Sequence, residues 1–111
     1  MIAMDPKILI HEFEDSEYIG QDRYKQPAYS EPIKVERVRI DETSVFSRDG
    51  DQKKILANAV IFIYNGLSSY FGPFKEQSKV VFDDKEYIVQ KIVPVSEPYS
   101  KELFSIELEV L

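Results

Sequence analysis

Apolar and polar residues alternate most regularly near the end of the chain, where Phe104, Ile106, Leu108 and Val110 are interleaved with Ser105, Glu107 and Glu109. A period of two puts the apolar set on one face of a strand and the acids on the other, whereas on a helix that set would wrap around the axis. Residues 55–64 differ: apart from Asn58, every position from Ile55 to Tyr64 is apolar. This reads as one strand covered on both faces, β-branched at Ile55, Val60, Ile61 and Ile63. A short buried helix is the competing assignment, and periodicity alone does not separate the two. Ala57 and Ala59 fall on one face of the strand and leave room for a close neighbour.

Residues 79–95 read as a hairpin: Lys79-Val80-Val81-Phe82, the polar tetrad Asp83-Asp84-Lys85-Glu86 as the turn, then Tyr87-Ile88-Val89. Ile92, Val93 and Val95 continue the second arm until Pro94 and Pro98 limit its pairing. Residues 32–41 predict another strand, with a phase problem. Ile33 and Val35 share one phase and Val38 and Ile40 the other, so a bulge near Glu36-Arg37 is needed to return all four to one face. Ile8, Leu9, Ile10 and Phe13 suggest a first strand. Six scattered prolines punctuate the chain in a way that suits short strands better than long helices. The pattern predicts an all-β fold over residues 1–111, a small single-domain barrel or sandwich of five to seven short antiparallel strands with long loops.

Two connections stand out. Thr43 to Lys54 is long for a hairpin link, and its tip, Arg48-Asp49-Gly50-Asp51, is strongly turn-forming. Holding such a loop in one shape costs about 1–2 kcal/mol per residue, and Val45 and Phe46 alone offer burial in return. The expectation is a flexible loop over about 43–54 that becomes ordered against a partner. The second connection, residues 65–78, carries Tyr70, Phe71 and Phe74. They are satellite core under a loop or a partner-facing patch; aromatics are enriched at interface centres.

Composition narrows the function. At 111 residues the chain holds one modest core. Its formal net charge of -6 disfavours general attraction to nucleic acid or to an anionic membrane face. No apolar run approaches the ~20 residues that span a bilayer. The start, Met1 to Pro6, has no basic n-region or long apolar h-region, so no signal peptide is expected. Cysteine is absent, which rules out disulfides and thiolate metal sites.

Candidate chemistry is sparse. His11 is the single histidine, so a zinc site would depend on carboxylates; Glu12 and Glu14 share a strand face but read better as a solvated edge. Asp49-Gly50-Asp51 lacks the spacing and closing Glu of a calcium loop. Nothing marks a serine for a His11-based triad, and the four glycines are too far apart for a phosphate cradle. No cofactor and no catalytic activity are expected. Lys34, Arg37 and Arg39, with Lys53 and Lys54, admit a second reading as a single-strand nucleic-acid-binding barrel, against the plainer one of charges guarding an edge. A small hydrolase is a third reading and needs a pocket of convergent carboxylates.

Four pieces then fall in a familiar order: Pro6 to His11 (PKILIH), Asp22-Arg23-Tyr24 with Tyr29 following, Val38 to Asp41 (VRID), and Ala57 to Tyr64 (ANAVIFIY) followed by Ser78 to Ile88 (SKVVFDDKEYI). Over most of its length the chain resembles the minor capsid proteins of tailed phages and prophages of Gram-positive bacteria. Lys25-Gln26 stands where such proteins often carry Gly-Asn, and Asp84 where they often carry Gly. The resemblance implies a head–tail connector component of the head-closure or stopper class, a small β-barrel in a homo-oligomeric ring below the portal. Implied partners are portal or adaptor and tail-completion proteins, with transient contact with packaged DNA and no membrane. The implied location is the virion, after assembly in the host cytoplasm. Val45, Phe46, Arg48, Asp49, Gly50 and Asp51 then stand where a gating loop would be. Lys34, Arg39, Tyr70, Phe71 and Phe74 are the candidate subunit interface, because a ring needs two different surfaces per subunit.

Overall fold

A computed structural model describes residues 9–49, 52–96 and 102–111, and among these there are ten β-strands and no helix. Six strands close an antiparallel barrel: β1 (His11–Ser16), β4 (Ile33–Asp41), β7 (Ala59–Tyr64), β10 (Leu103–Val110), β9 (Lys85–Ser96) and β8 (Lys79–Phe82), in that order, with β8 pairing back to β1. The other four make separate two-stranded sheets: β2 (Tyr18–Gln21) with β3 (Pro27–Tyr29), and β5 (Val45–Asp49) with β6 (Gln52–Ala57).

Antiparallel pairing gives the barrel two distinct rims. One carries the start of β1, the β5–β6 hairpin, the β8–β9 turn and the end of β10. The other carries the β2–β3 hairpin, residues 65–78, the end of β9 and the start of β10. Between the rims the inward phase is apolar. Phe13, Val35, Val38, Ile61, Ile63, Val80, Leu108 and Val110 are all buried in one cluster. Each such side chain contributes about 1.5–3 kcal/mol on leaving water.

The phase problem in residues 32–41 is solved by a bulge at Arg37. Glu36 faces Glu12 and Val38 faces His11, so Arg37 has no partner on β1. Its φ is +58, and the extra residue turns Val35 and Val38 to the same interior. His11 helps hold the bulge, with Nδ1 accepting the Ile40 N–H at 3.2 Å.

Several expectations need correction. Residues 55–64 are two strands, not one, with the break at Asn58. Ile55 and Leu56 on the first are exposed, so two-sided cover holds only for β7. The tetrad at 83–86 contains a two-residue turn. Lys85 and Glu86 already pair with Phe82 and Val81, and Asp83 and Asp84 both take positive φ, +52 and +60, the signature of a type I′ turn whose twist matches its strands. Pro94 does not end β9, which runs on to Ser96 with Pro94 opposite Ile106; Pro98 lies outside the described residues. Proline is tolerated there because β8 reaches β9 only as far as Ile88, leaving β10 as the strand partner beyond. The first strand starts later than read: Leu9 is buried and Ile10 exposed ahead of β1, and Ile8 lies outside the described residues.

The 43–54 connection, read as an irregular loop, is largely a β-hairpin: Phe46 pairs with Ile55, Ser47 with Lys54, Arg48 with Lys53 and Asp49 with Gln52. Gly50 and Asp51 lie outside the described residues. Backbone pairing provides interactions that offset ordering, and Phe46 is 52% exposed.

Deleting Arg37 is expected to abolish cooperative urea unfolding, because one half of β4 must then present its polar face to the core; circular dichroism reads the loss. Asp84→Gly is expected to stabilise the chain by about 0.5–1 kcal/mol, since glycine relieves the left-handed strain and gives back part of the gain in unfolded-state entropy. The shift in urea midpoint measures it.

Candidate functional site

The eight exposed large apolar side chains of the described residues are placed at the rims. Ile10, Phe46, Ile55, Leu56 and Leu111 lie at the β5–β6 end; Ile19, Tyr24 and Ile33 lie at the other. The barrel wall carries ion pairs instead. Lys34 lies 3.4 Å from Glu12 and 3.5 Å from Glu36, Arg39 lies 3.9 Å from Asp41, and Lys79 lies 3.9 Å from Glu86. Exposed pairs of this kind contribute about 0–1 kcal/mol each.

These contacts place the candidate cations. Lys34 sits between two carboxylates, and Glu12 first, then Glu36, raises its pKa. Arg39 lays its guanidinium over the Phe62 ring at 5.2 Å. Arg37 donates from Nε to the Leu67 carbonyl at 2.8 Å. All three are engaged by their own chain, so β4 offers no row of unpartnered cations to a phosphate backbone.

The aromatic trio belongs to a plug. Residues 65–78 connect β7 to β8, which lie three positions apart around the barrel, so the segment crosses its mouth. It is tied down at the Arg37 bulge. The Ser69 N–H donates to the Glu36 carbonyl, its Oγ accepts the Glu36 N–H at 2.7 Å, and Ser68 Oγ donates to the Arg37 carbonyl at 2.6 Å. Tyr70, Phe71 and Phe74 are partly buried and pack against the core. Phe74 lies 6.3 Å from Phe13 and meets Tyr70 edge-on at 5.5 Å. Of the two readings open for this trio, the satellite-core one describes the packing. Lys34 and Arg39 make their own contacts with Glu12, Glu36, Asp41 and Phe62.

The β5–β6 hairpin stands at the opposite rim. Its root is fixed by buried Ala57 and by the Asn58 N–H donating to the Val110 carbonyl at 2.8 Å. Phe46 and Ile55 are paired across the strands and are 52% and 48% exposed. Beside them runs a groove of about 320 Å³ lined by Ile55, Leu56, Gln90, Lys91, Glu109 and Leu111. A second groove, of about 330 Å³, is bordered by Glu12, Glu14, Lys34, Val81, Asp83 and Asp84. Of the proposed gating residues, Arg48 and Asp49 contribute backbone pairing, and Gly50 and Asp51 fall outside the described residues. Among the described residues no group of three or more His, Asp or Glu side chains is arranged to hold a metal.

A family model described as minor capsid protein matches residues 6–110. Searches among curated proteins and among solved structures each found no match to the chain.

Sequence reading missed Asp15. It shares the inward phase with Phe13 and is buried, with Oδ1 lacking any hydrogen-bond partner among the described residues. It is flanked by Ile33 on β4 and Val80 on β8, near Tyr70 of the plug. Burial, and secondarily the Glu17 charge, push its pKa from 3.8 up to about 6. Between those two values the folded chain keeps a proton that the unfolded chain has released. Raising pH then removes a proton from the folded state alone, so stability falls across this window. The contribution is fully favourable below about pH 4 and lost above about pH 6, a span of about 3 kcal/mol. Asp15→Asn is expected to flatten this part of the stability–pH profile and to raise stability at pH 7.5 by up to about 3 kcal/mol. Urea unfolding of both chains from pH 4 to pH 8 tests it; parallel profiles would exclude Asp15 as the source.

Proposed function

The chain belongs to the minor capsid protein family, whose members are structural, non-enzymatic components of the virion, and from this we propose that it is a ring subunit of the head–tail connector. In this reading it is of the head-closure or stopper kind and extends or gates the DNA channel below the portal. Its neighbours are portal or adaptor proteins above, tail-completion proteins below and further copies of itself at the sides.

The observation that carries the reading is a closed wall with a separate hairpin at one rim. A barrel closed all round contributes thickness to a channel without offering its wall strands for further pairing. A hairpin outside the barrel can reach a neighbour or the channel axis while the barrel keeps its fold. Charge agrees with passage rather than capture. The net charge is -6, and the β4 cations are engaged within the chain, so DNA would slide past without a strong sequence-independent hold. For the same reason the single-strand-binding alternative has little to stand on.

Two measurements test the reading. Electron cryomicroscopy of assembled virions is expected to place this chain as a cyclic ring at the neck; density on the capsid shell instead would refute it. Replacing residues 46–55 by a short Asn-Gly turn is expected to leave a folded, incorporated barrel. If the hairpin gates the channel, particles carrying it should lose packaged DNA, read as an increased fraction of empty heads. Full retention would remove the gating role.

A further inference from the structure

We propose that Asp15 is a proton-controlled latch under the plug. With its carboxyl neutral, residues 67–76 close the barrel mouth; when the carboxyl loses its proton, they lift from it while the barrel wall stays paired.

The site is built for a neutral group. Asp15 is 4% exposed, in the inward phase of Phe13, and its Oδ1 has no hydrogen-bond partner among the described residues. The residues facing it do not suit a negative charge. β4 and β8 present Ile33 and Val80. The link beyond β1 brings Glu17, a like charge, and the plug brings the Tyr70 phenol. The Tyr70 hydroxyl donates to the Pro73 carbonyl at 3.3 Å. Lysines of the adjoining elements are turned elsewhere. Lys79 lies 5.2 Å from the Tyr29 ring and 3.9 Å from Glu86, Lys75 lies 5.8 Å from the Tyr18 ring, and Lys34 sits between Glu12 and Glu36. A neutral carboxyl is tolerated in such surroundings; a carboxylate draws in water.

Two routes can admit that water. Moving β1 breaks its ladders to β4 and β8 and opens the barrel. Moving the plug gives up the hydrogen bonds of Ser68 and Ser69 to Glu36 and Arg37, the Arg37 Nε bond to the Leu67 carbonyl, and the contact of Phe74 with Phe13 at 6.3 Å. No strand ladder includes residues 65–78, so the second route leaves the wall intact. The ends of the plug suit a swing. Gly66 has a φ of +80, and Gln77, with a φ of +70, stays tied through its N–H to the Val89 carbonyl at 2.8 Å. Tyr70 and Phe74 lie between those ends, and lifting them uncovers Asp15.

Amide hydrogen exchange on the full chain, corrected for intrinsic rates, tests the latch from pH 4 to pH 7.5. The probe is the Ser69 N–H, which donates to the Glu36 carbonyl; the reference is the set of amides in the β7–β10 ladder. Ser69 protection is expected to fall at least about tenfold across this range. The ceiling is about a hundredfold, for a carboxyl that titrates at about 6 when covered and 3.8 when open. Throughout, Ser69 is expected to stay less protected than the ladder. Asp15→Asn is expected to flatten the Ser69 profile. His11, at the far end of β1, is unchanged in that variant, so any pH dependence it brings remains in both chains. If Asp15→Asn fails to fold, Glu17→Gln is expected to shrink the fall, because it removes the charge that helps to raise Asp15. Ser69 protection that ignores pH in the unaltered chain, or a fall that persists in Asp15→Asn, would overturn the proposal. So would protection of Ser69 equal to that of the ladder at every pH, since the mouth would then open only when the whole barrel unfolds.

Discussion

Everything outside the barrel wall is shaped by the pairing of β8 back onto β1. Through Glu14–Val81, Asp15–Val80 and Ser16–Lys79, this last ladder joins the two ends of the strand order and removes the edges an open sheet would have. Backbone left over for pairing is therefore moved to the rims, chiefly to the β2–β3 and β5–β6 ribbons. The same closure accounts for the distribution of side chains: ion pairs on the wall, exposed apolar residues at the ends. A chain built in this way exposes its large apolar side chains at the rims and pairs its wall strands within itself.

Closure also demands a strict inward phase, and the chain keeps it with local irregularities. Arg37 adds a residue to β4 so that Val35 and Val38 both point inward, and its carbonyl and guanidinium then serve as anchors for the plug. Gln90 does a similar thing on β9, unmatched between Lys91 opposite Glu109 and Val89 opposite Val110. The inward phase also carries one polar exception, Asp15, next to the plugged mouth. Burying a carboxyl with an unpartnered oxygen is unfavourable. Its position beneath Tyr70 couples the charge state of the interior to the environment of the plug, and the Tyr70 phenol is itself held above its usual pKa by burial first and then by Asp15 and Glu17.

Where one residue pattern had one structural solution, the sequence was legible. The alternation from Phe104 to Val110 could only be a half-buried strand, and the phase slip between Val35 and Val38 required a bulge close to its observed place. Legibility failed where the solution depended on partners distant in sequence. Ile55 and Leu56 are as apolar as the residues after Asn58, but closure uses β7 and leaves β6 outside; local composition does not encode that choice. The aromatics at 70–74 pack, partly buried, against the core because the strand order sends residues 65–78 across the barrel mouth, which no local pattern announces. Asp15 was hidden in the acidic run from Glu12 to Glu17, although its shared parity with Phe13 was an available signal. The turn chemistry lies between these cases. Lys25 and Asp84, at the places where the resembled family often has glycine, take φ of +62 and +60, so glycine's conformation persists there without glycine.

The difference between an irregular loop and a paired hairpin over residues 45–57 changes the energetics of assembly. A loop that orders only on contact takes about 1–2 kcal/mol per residue out of the interface it forms. The backbone of β5 and β6 pairs from Val45–Ala57 to Asp49–Gln52, and each backbone pair made within the chain is one that a contact need not order. The subunit that closes a ring gains a second contact without a second loss of translational freedom. If the proposed ring forms, weak association of free subunits is compatible with firm association in the assembled particle.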